Sequence, residues 1–419
     1  MNKKDFIRID SKCQNDLIAD QAQINVFIVG LRGYTQNYGG WESFAHGLID
    51  NWTDEKVHFF AFEKVDTLEN EGYYRTKNVT CIRICEKSKK SSSMMKYDRN
   101  CTNFSLFLQK KYCFKNPILF FLGVRIGPYV WFKKRTIKRN GFMIVENPAG
   151  VEWKRTKWNK MVQFYLYVSA LMMARSVDCM VCDNEGIVDV YRNMNLGKKP
   201  LLTFVPYGVD TEYYEKNSQD ESTVLAGKEF LKSWGLKENE YFLILGRFVP
   251  ENNYEMMINA FMKSNTRKKL LIITNYKTEL PKFFKHICKT TNYQNDDRII
   301  MAGTLYDKKA LCYIRTNAVA YIHGHSVGGT NPGLLEALAS TDVNFLYNAP
   351  FNKFVGMDCA YYFGNEKELT ALIDNVDGIN LKNKKELGMF AKKRMKSVYS
   401  WQRVVDDYDK VFMNLITND

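Results

Sequence analysis

The sequence predicts an α/β protein made of two doubly wound, Rossmann-like parallel-sheet domains that face each other, with ligand at the carboxyl ends of the strands. Three observations lead there. Short, nearly continuous apolar runs alternate with helix-length segments, the pattern of strands buried on both faces. The runs are too numerous for a single sheet. A polar stretch at 215–222 divides them into two groups and reads as the linker. The expected domains are therefore 1–214 and 215–395. A (β/α)8 barrel is the competing architecture, and the central polar break argues against it.

In the first half, the strand candidates are residues 24–29, 58–62, 79–84, 118–122, 143–145, 178–182 and 201–205. In the second half they are 241–245, 270–274, 298–301, 318–322 and 343–346. The last but one runs into His323-Gly-His-Ser-Val-Gly-Gly-Thr-Asn-Pro-Gly-Leu-Leu-Glu-Ala-Leu338. Here two glycines turn the chain into a helix. Thr330 or Asn331 is the natural N-cap, Pro332 suits the first helical position, and Leu334, Leu335 and Leu338 recur at helical spacing. Strand, glycine turn and helix N-terminus make an anion site, through unpaired N–H groups and the helix dipole. Glu336, about one turn inside, is placed to accept hydrogen bonds from sugar hydroxyls beyond a phosphate. The arrangement suggests a nucleotide-sugar site.

At 419 residues, with 45% hydrophobic and 25% charged residues, the chain has the composition of a folded protein of two or three domains. No run approaches a membrane span, and the charged first residues carry no apolar signal core, so export is not expected. The ten cysteines show no metal-ligand pattern. Cys179 and Cys182 have CxxC spacing but lie in a strand-like run, and buried reduced thiols are expected there. The net charge of +14 calls for an anionic partner, either nucleic acid or a membrane surface. Trp131 and Phe132 sit beside Lys133, Lys134, Arg135, Lys138 and Arg139. That mixture suits a membrane interface, and equally a solvated helix face beside a core strand.

Three further segments carry chemistry. Val29-Gly-Leu-Arg-Gly33 leads to Tyr38-Gly-Gly-Trp-Glu-Ser-Phe44, whose glycines let a ligand approach the backbone. This is not the G-x-G-x-x-G fingerprint, so hydride transfer is disfavoured. Arg247, just past a strand in Leu245-Gly-Arg-Phe-Val-Pro-Glu-Asn-Asn253, is placed to clamp a diphosphate and stabilise departing charge. A surface ion pair is the plainer alternative. Finally, Glu146-Asn-Pro-Ala-Gly-Val-Glu-Trp-Lys-Arg-Thr-Lys-Trp158 gathers aromatic and charged groups of the kind that grip sugars and phosphates, although Trp153 and Trp158 also suit core anchors.

Taken in order, these segments resemble the retaining glycosyltransferases of family 4, which have the GT-B fold, and within them the bacterial rhamnosyltransferases of capsule and cell-wall polysaccharide assembly. The resemblance also covers Val205-Pro-Tyr-Gly-Val-Asp210, Gly303-Thr-Leu305 and the Trp401 helix. It implies that residues 396–419 form a terminal helix returning to the first domain. It further implies that Arg247, Glu336 and Asn331 are catalytic. Donor binding falls to Gly39, Gly40, Asn252, Asn253, Gly303, Thr304, Leu305, His325, Ser326, Gly328, Gly329 and Thr330. Acceptor binding falls to Glu42, Glu152, Trp153, Lys154, Arg155 and Trp158.

Two positions depart from the wider family. Gly328 stands where the first glutamate of E-x7-E is usual, and Asn252 stands where a lysine is usual; both fit the rhamnosyltransferase group. Ala149 stands where relatives often have aspartate. No D-x-D motif appears in a loop, since Asp407-Tyr-Asp409 falls in the terminal helix. The implied reaction is metal-independent transfer of L-rhamnose from dTDP-rhamnose to a polyprenyl-diphosphate-linked hexose, with no cofactor. The implied setting is peripheral on the cytoplasmic face of the plasma membrane, with no nucleic acid. A transferase using another nucleotide sugar, a nucleotide-sugar epimerase of GT-B architecture and a nucleic-acid binder are the rival readings.

Overall fold

In the computed structural model, residues 1, 3–12, 22–34, 40–76, 78–87, 91–155, 158–194, 196–197, 200–276 and 280–417 are described. The chain divides into two compact units. The first comprises 1–153, 158–206 and 401–419, and the second 154–157 and 207–400.

The first unit is built on strands β1 (Ile24–Val29), β2 (Val57–Val65), β3 (Gly72–Thr76), β4 (Val79–Cys85), β5 (Pro117–Leu122), β6 (Met143–Asn147), β7 (Cys179–Cys182) and β8 (Leu201–Phe204). Their order across the sheet is β3-β4-β2-β1-β5-β6-β7-β8, parallel except for the antiparallel edge pair β3–β4. Every residue of β1 and β5 is buried, which is why both read as unbroken apolar runs. Phe27 of β1 stacks on Phe60 of β2, with ring centroids 4.3 Å apart.

The Trp401–Thr417 helix belongs to this unit. Its Tyr408 packs against Phe44 and Phe120, and its Phe412 stacks on Trp52. Asn147 Nδ2 donates to Tyr408 OH at 3.3 Å. The Trp401 ring lies directly on Gly47, where a Cβ would overlap it.

The second unit contains β9 (Tyr241–Leu245), β10 (Lys269–Ile273), β11 (Ile299–Gly303), β12 (Ala320–His323), β13 (Asn344–Tyr347) and β14 (Tyr361–Phe363), in the parallel order β11-β10-β9-β12-β13-β14. Alternation within β9 and β10 shows that both faces are covered. Phe242, Ile244, Leu270 and Ile272 join one apolar cluster, while Tyr241, Leu243, Leu271 and Ile273 join another. Two open sheets exclude the barrel.

The domain boundaries differ from those expected. The polar stretch at 215–222 is not the linker. It spans the end of one helix, Thr211–Asn217, and the start of the next, Glu221–Ser233, and both helices begin at aspartate N-caps. The chain leaves the first unit after Pro206 and returns at Trp401, not at 214 and 396. Local polarity marked an exposed helix junction, whereas the crossing itself lies in the buried Val205-Pro-Tyr207 segment.

Candidate active site

In the second sheet, β9 lies between β10 and β12, so the chain order reverses there. Ligands of doubly wound sheets bind outside the carboxyl ends of strands at such a switch point. The two loops that leave it are 246–253, after β9, and 324–331, after β12.

These loops are locked together by hydrogen bonds. Asn253, in the left-handed conformation (φ 52°), donates through Nδ2 to Gly324 O at 2.8 Å. Ser326 donates through both N and Oγ to Glu251 O, each at 2.9 Å. Gly324 is required by this approach, because a Cβ there would overlap Asn252 O. From below, Asn352 Nδ2 donates to His325 O at 2.8 Å. On the β9 side, Gly246 O accepts Tyr254 OH at 3.0 Å and Thr274 Oγ1 at 2.6 Å.

Arg247 is exposed at this point, and no hydrogen bond or ion pair engages its guanidinium among the described residues. The surface ion pair considered from the sequence is therefore not found among the described residues. Arg247 and Arg155 both act on the His325 ring; burial first, then His323 and these two cations, hold the imidazole well below its ordinary pKa. Arg155 groups with the second unit and acts on His325. Lys154 goes with it and is exposed. Glu152, Trp153 and Trp158 are half-buried, and Trp153 packs edge-on against Tyr167 and Tyr191 in the first unit.

Asn331 is the N-cap of the Pro332–Ser340 helix, its side chain accepting Gly333 N at 2.9 Å. The expectation of unpaired N–H groups at this helix start does not hold. Leu334 N and Leu335 N both return to Asn331 O, and Pro332 has no N–H. The dipole remains, but free donors toward an anion have to come from the preceding glycine loop, in which Gly328 and Thr330 are buried and Gly329 is half-buried. Gly303, with φ 79°, ends β11, followed by exposed Thr304 and half-buried Leu305.

Glu336 is 40% exposed in its side chain and forms an ion pair with Arg315, which is only 5% exposed and also donates to Tyr214 OH at 3.2 Å. Sequence reading missed Arg315, which lies 21 residues upstream and carries no local signal. It also missed Glu251, buried beside the 324–331 loop with neither carboxylate oxygen hydrogen-bonded among the described residues. Such a group is costly to leave unpaired.

The first sheet also has a switch point, where β1 lies between β2 and β5. Gly30 (φ 127°) follows β1 and presses on β5, where a Cβ would come within 2.6 Å of Leu122 O. Arg125 Nη2 donates to Gly30 O at 2.9 Å and its Nε pairs with Asp98. Glu42, expected at the acceptor, is buried, and its Oε1 accepts Arg32 N at 2.9 Å. Gly40 opens the Gly40–Asp50 helix with free space around it, and Gly39 lies outside the described residues. Glu146, at the end of β6, is fully buried beside Tyr191; burial raises its pKa well above the carboxylate range.

This architecture is shared with several solved structures. Sucrose-phosphate synthase from Thermosynechococcus elongatus superimposes with a TM-score of 0.72 over 95% of this chain and 100% of that one, at 11% identity. The Escherichia coli trehalose-6-phosphate protein bound to UDP-2-fluoro glucose gives 0.68 over 93% and 98%, at 10% identity. HepE of Anabaena in complex with UDP gives 0.67 over 94% and 100%, at 9% identity. The fold is therefore GT-B.

In sequence, residues 23–210 match a domain family described only as a domain of unknown function, DUF1972. An uncharacterized glycosyltransferase of Methanocaldococcus jannaschii, MJ1069, is 22% identical over 325 residues, covering 75% of this chain and 76% of that protein.

Proposed function

We propose that the protein is a retaining, metal-independent glycosyltransferase that moves L-rhamnose from dTDP-rhamnose to a hexose carried on a polyprenyl diphosphate. The observation that carries this reading is Arg247: an exposed, unpaired guanidinium at the switch point of the second sheet, beside a glycine loop fixed by its own hydrogen bonds. The bond from the sugar's anomeric carbon to the diphosphate oxygen breaks, through an oxocarbenium-like transition state. The acceptor hydroxyl forms the new bond on the same face and passes its proton to the departing diphosphate, so no side-chain base is required. Arg247 and the dipole of the Pro332–Ser340 helix stabilise the charge that leaves.

A lipid-linked acceptor in the cytoplasmic leaflet is supported by the first unit's Gly127–Arg139 and Lys160–Ala174 helices. Their outer sides expose Phe132 (73%), Met161 (83%) and Phe164 (70%) beside Lys133 and Arg135. No helix among the described residues is long and apolar enough to cross a membrane. A UDP-hexose donor is the second reading, favoured by the UDP and UDP-sugar analogue bound in two of the structural relatives.

The test is incubation with a panel of nucleotide sugars and a lipid-diphosphate sugar acceptor, scored by product mass. A gain of one deoxyhexose is expected; a gain of one hexose selects the second reading, and no transfer from any donor overturns both. Arg247→Ala should lower turnover by about a hundredfold or more. Glu336→Gln should also lower turnover; glutamine keeps a carbonyl acceptor for the buried Arg315, which alanine would not, but it removes the counter-charge too, so a thermal unfolding measurement accompanies the assay.

A further inference from the structure

Gly328 and Asn252 are the two residues at which this chain departs from the broader pattern, and in the structure they meet on the same side chain. Asn252 Nδ2 donates to Arg247 O at 2.7 Å. A carbonyl only accepts, so the amide orientation is fixed and Oδ1 is the atom that faces His325 Nδ1 at 2.8 Å. An oxygen without a proton there requires Nδ1 to carry the hydrogen. The other ring nitrogen, Nε2, is then a lone-pair acceptor. It points at Gly328, where any Cβ would overlap it. No hydrogen bond reaches Nε2 among the described residues.

We infer that Asn252, His325 and Gly328 form one specificity unit, in which His325 Nε2 accepts a hydrogen bond from a single hydroxyl of the sugar being transferred. Asn252 sets the tautomer, and Gly328 provides the clearance that a side chain would fill. The inference rests on the donor-site reading proposed above and adds the group that recognises the sugar rather than the nucleotide. The backbone around His325 is fixed by Asn352, which donates to its carbonyl, and by the paired bonds of Ser326 to Glu251 O, while Asn252 holds the ring at Nδ1, so the acceptor is positioned before substrate arrives. The charged and titratable groups acting on the ring are His323, Arg155 and Arg247, and all three oppose its protonation. A neutral acceptor discriminates differently from a carboxylate: it takes one hydroxyl and leaves the rest of the ring face free for apolar substituents such as a methyl group.

The experiment compares calorimetric binding of nucleoside diphosphates (dTDP and UDP) with binding of the corresponding nucleotide sugars, and adds imidazole nitrogen NMR. In wild type, the His325 resonance, assigned by its loss in His325→Gln, should show protonated Nδ1 and unprotonated Nε2. His325→Ala should weaken nucleotide-sugar binding by roughly five- to a hundredfold while leaving diphosphate binding unchanged. Gly328→Ala should produce a similar selective loss, and the double variant should be no worse than His325→Ala alone. An Nε2-protonated tautomer, or equal weakening of diphosphate and nucleotide sugar, would overturn the inference while leaving the transferase reading standing. Should wild type bind no nucleoside diphosphate at all, the donor-site reading itself falls and takes the hydroxyl contact with it. If His325→Ala does not fold, the same comparison is made with His325→Leu, which fills the site without an acceptor, and unaltered discrimination in that variant also counts against the inference.

Discussion

Glu146 shows how far a single residue can be read. Its position at the end of an apolar run marked it as part of an interesting segment, but its burial among Tyr191 and Cys182 was not visible locally. Because its folded pKa is raised, the folded state binds more protons than the unfolded state above the ordinary carboxylate pKa. The stability this residue contributes is fully present below about pH 4.5 and declines as pH rises. Glu146→Gln should therefore match wild type in acid and become progressively more stable than wild type above that pH, as measured by denaturant unfolding across a pH series. A difference that does not change with pH would refute the assignment. Arg247 and Asn331 were legible because each depends only on its own segment: a cation just past a strand, a cap just before a proline. Arg315, Glu251 and the embrace of His325 by Asn252 were not, since each depends on a partner distant in sequence that only the fold brings near.

At the scale of elements, the second unit's strands were read to within about two residues, because strands buried on both faces leave an unbroken apolar signature. The two strands of the whole fold that escaped are edge strands, β3 of the first unit with two of its five residues exposed and β14 only three residues long. Neither buries enough to leave a pattern. The paired Gly127–Arg139 and Lys160–Ala174 helices show the opposite case. Gly127 lets them approach closely, its N–H donating to Ser169 Oγ at 3.0 Å, and a Cβ there would overlap Ser169 O. The contact consumes their inner faces and leaves Phe132, Met161 and Phe164 outside. Replacing both Phe132 and Phe164 with serine should reduce co-sedimentation with anionic vesicles by at least about tenfold, from the apolar area withdrawn from the bilayer. Undiminished sedimentation would remove the membrane role of this face. Binding should also fall with rising salt, since Lys133 and Arg135 act on the same surface.

For the molecule as a whole, two open parallel sheets and their order in the chain followed from counting apolar runs, but the place where one unit yields to the other did not. That division depends on the Trp401–Thr417 helix, whose Val404, Val405, Tyr408, Val411 and Phe412 are buried in the first unit. Phe412→Ala should destabilise that unit by about 3–5 kcal/mol, with the second unit's unfolding transition unchanged. A loss shared equally by both transitions, followed by calorimetry, would contradict the division. The same helix bears on synthesis. During translation, Phe44, Trp52 and Phe120 have no Tyr408 or Phe412 to cover them until the whole of residues 207–400 has been made. At about 5–20 residues per second, that interval lasts on the order of 10–40 s. The N-terminal sheet thus waits on the ribosome with an aromatic face open to chaperones or to misassembly, and the helix that begins at Trp401 is what ends the wait.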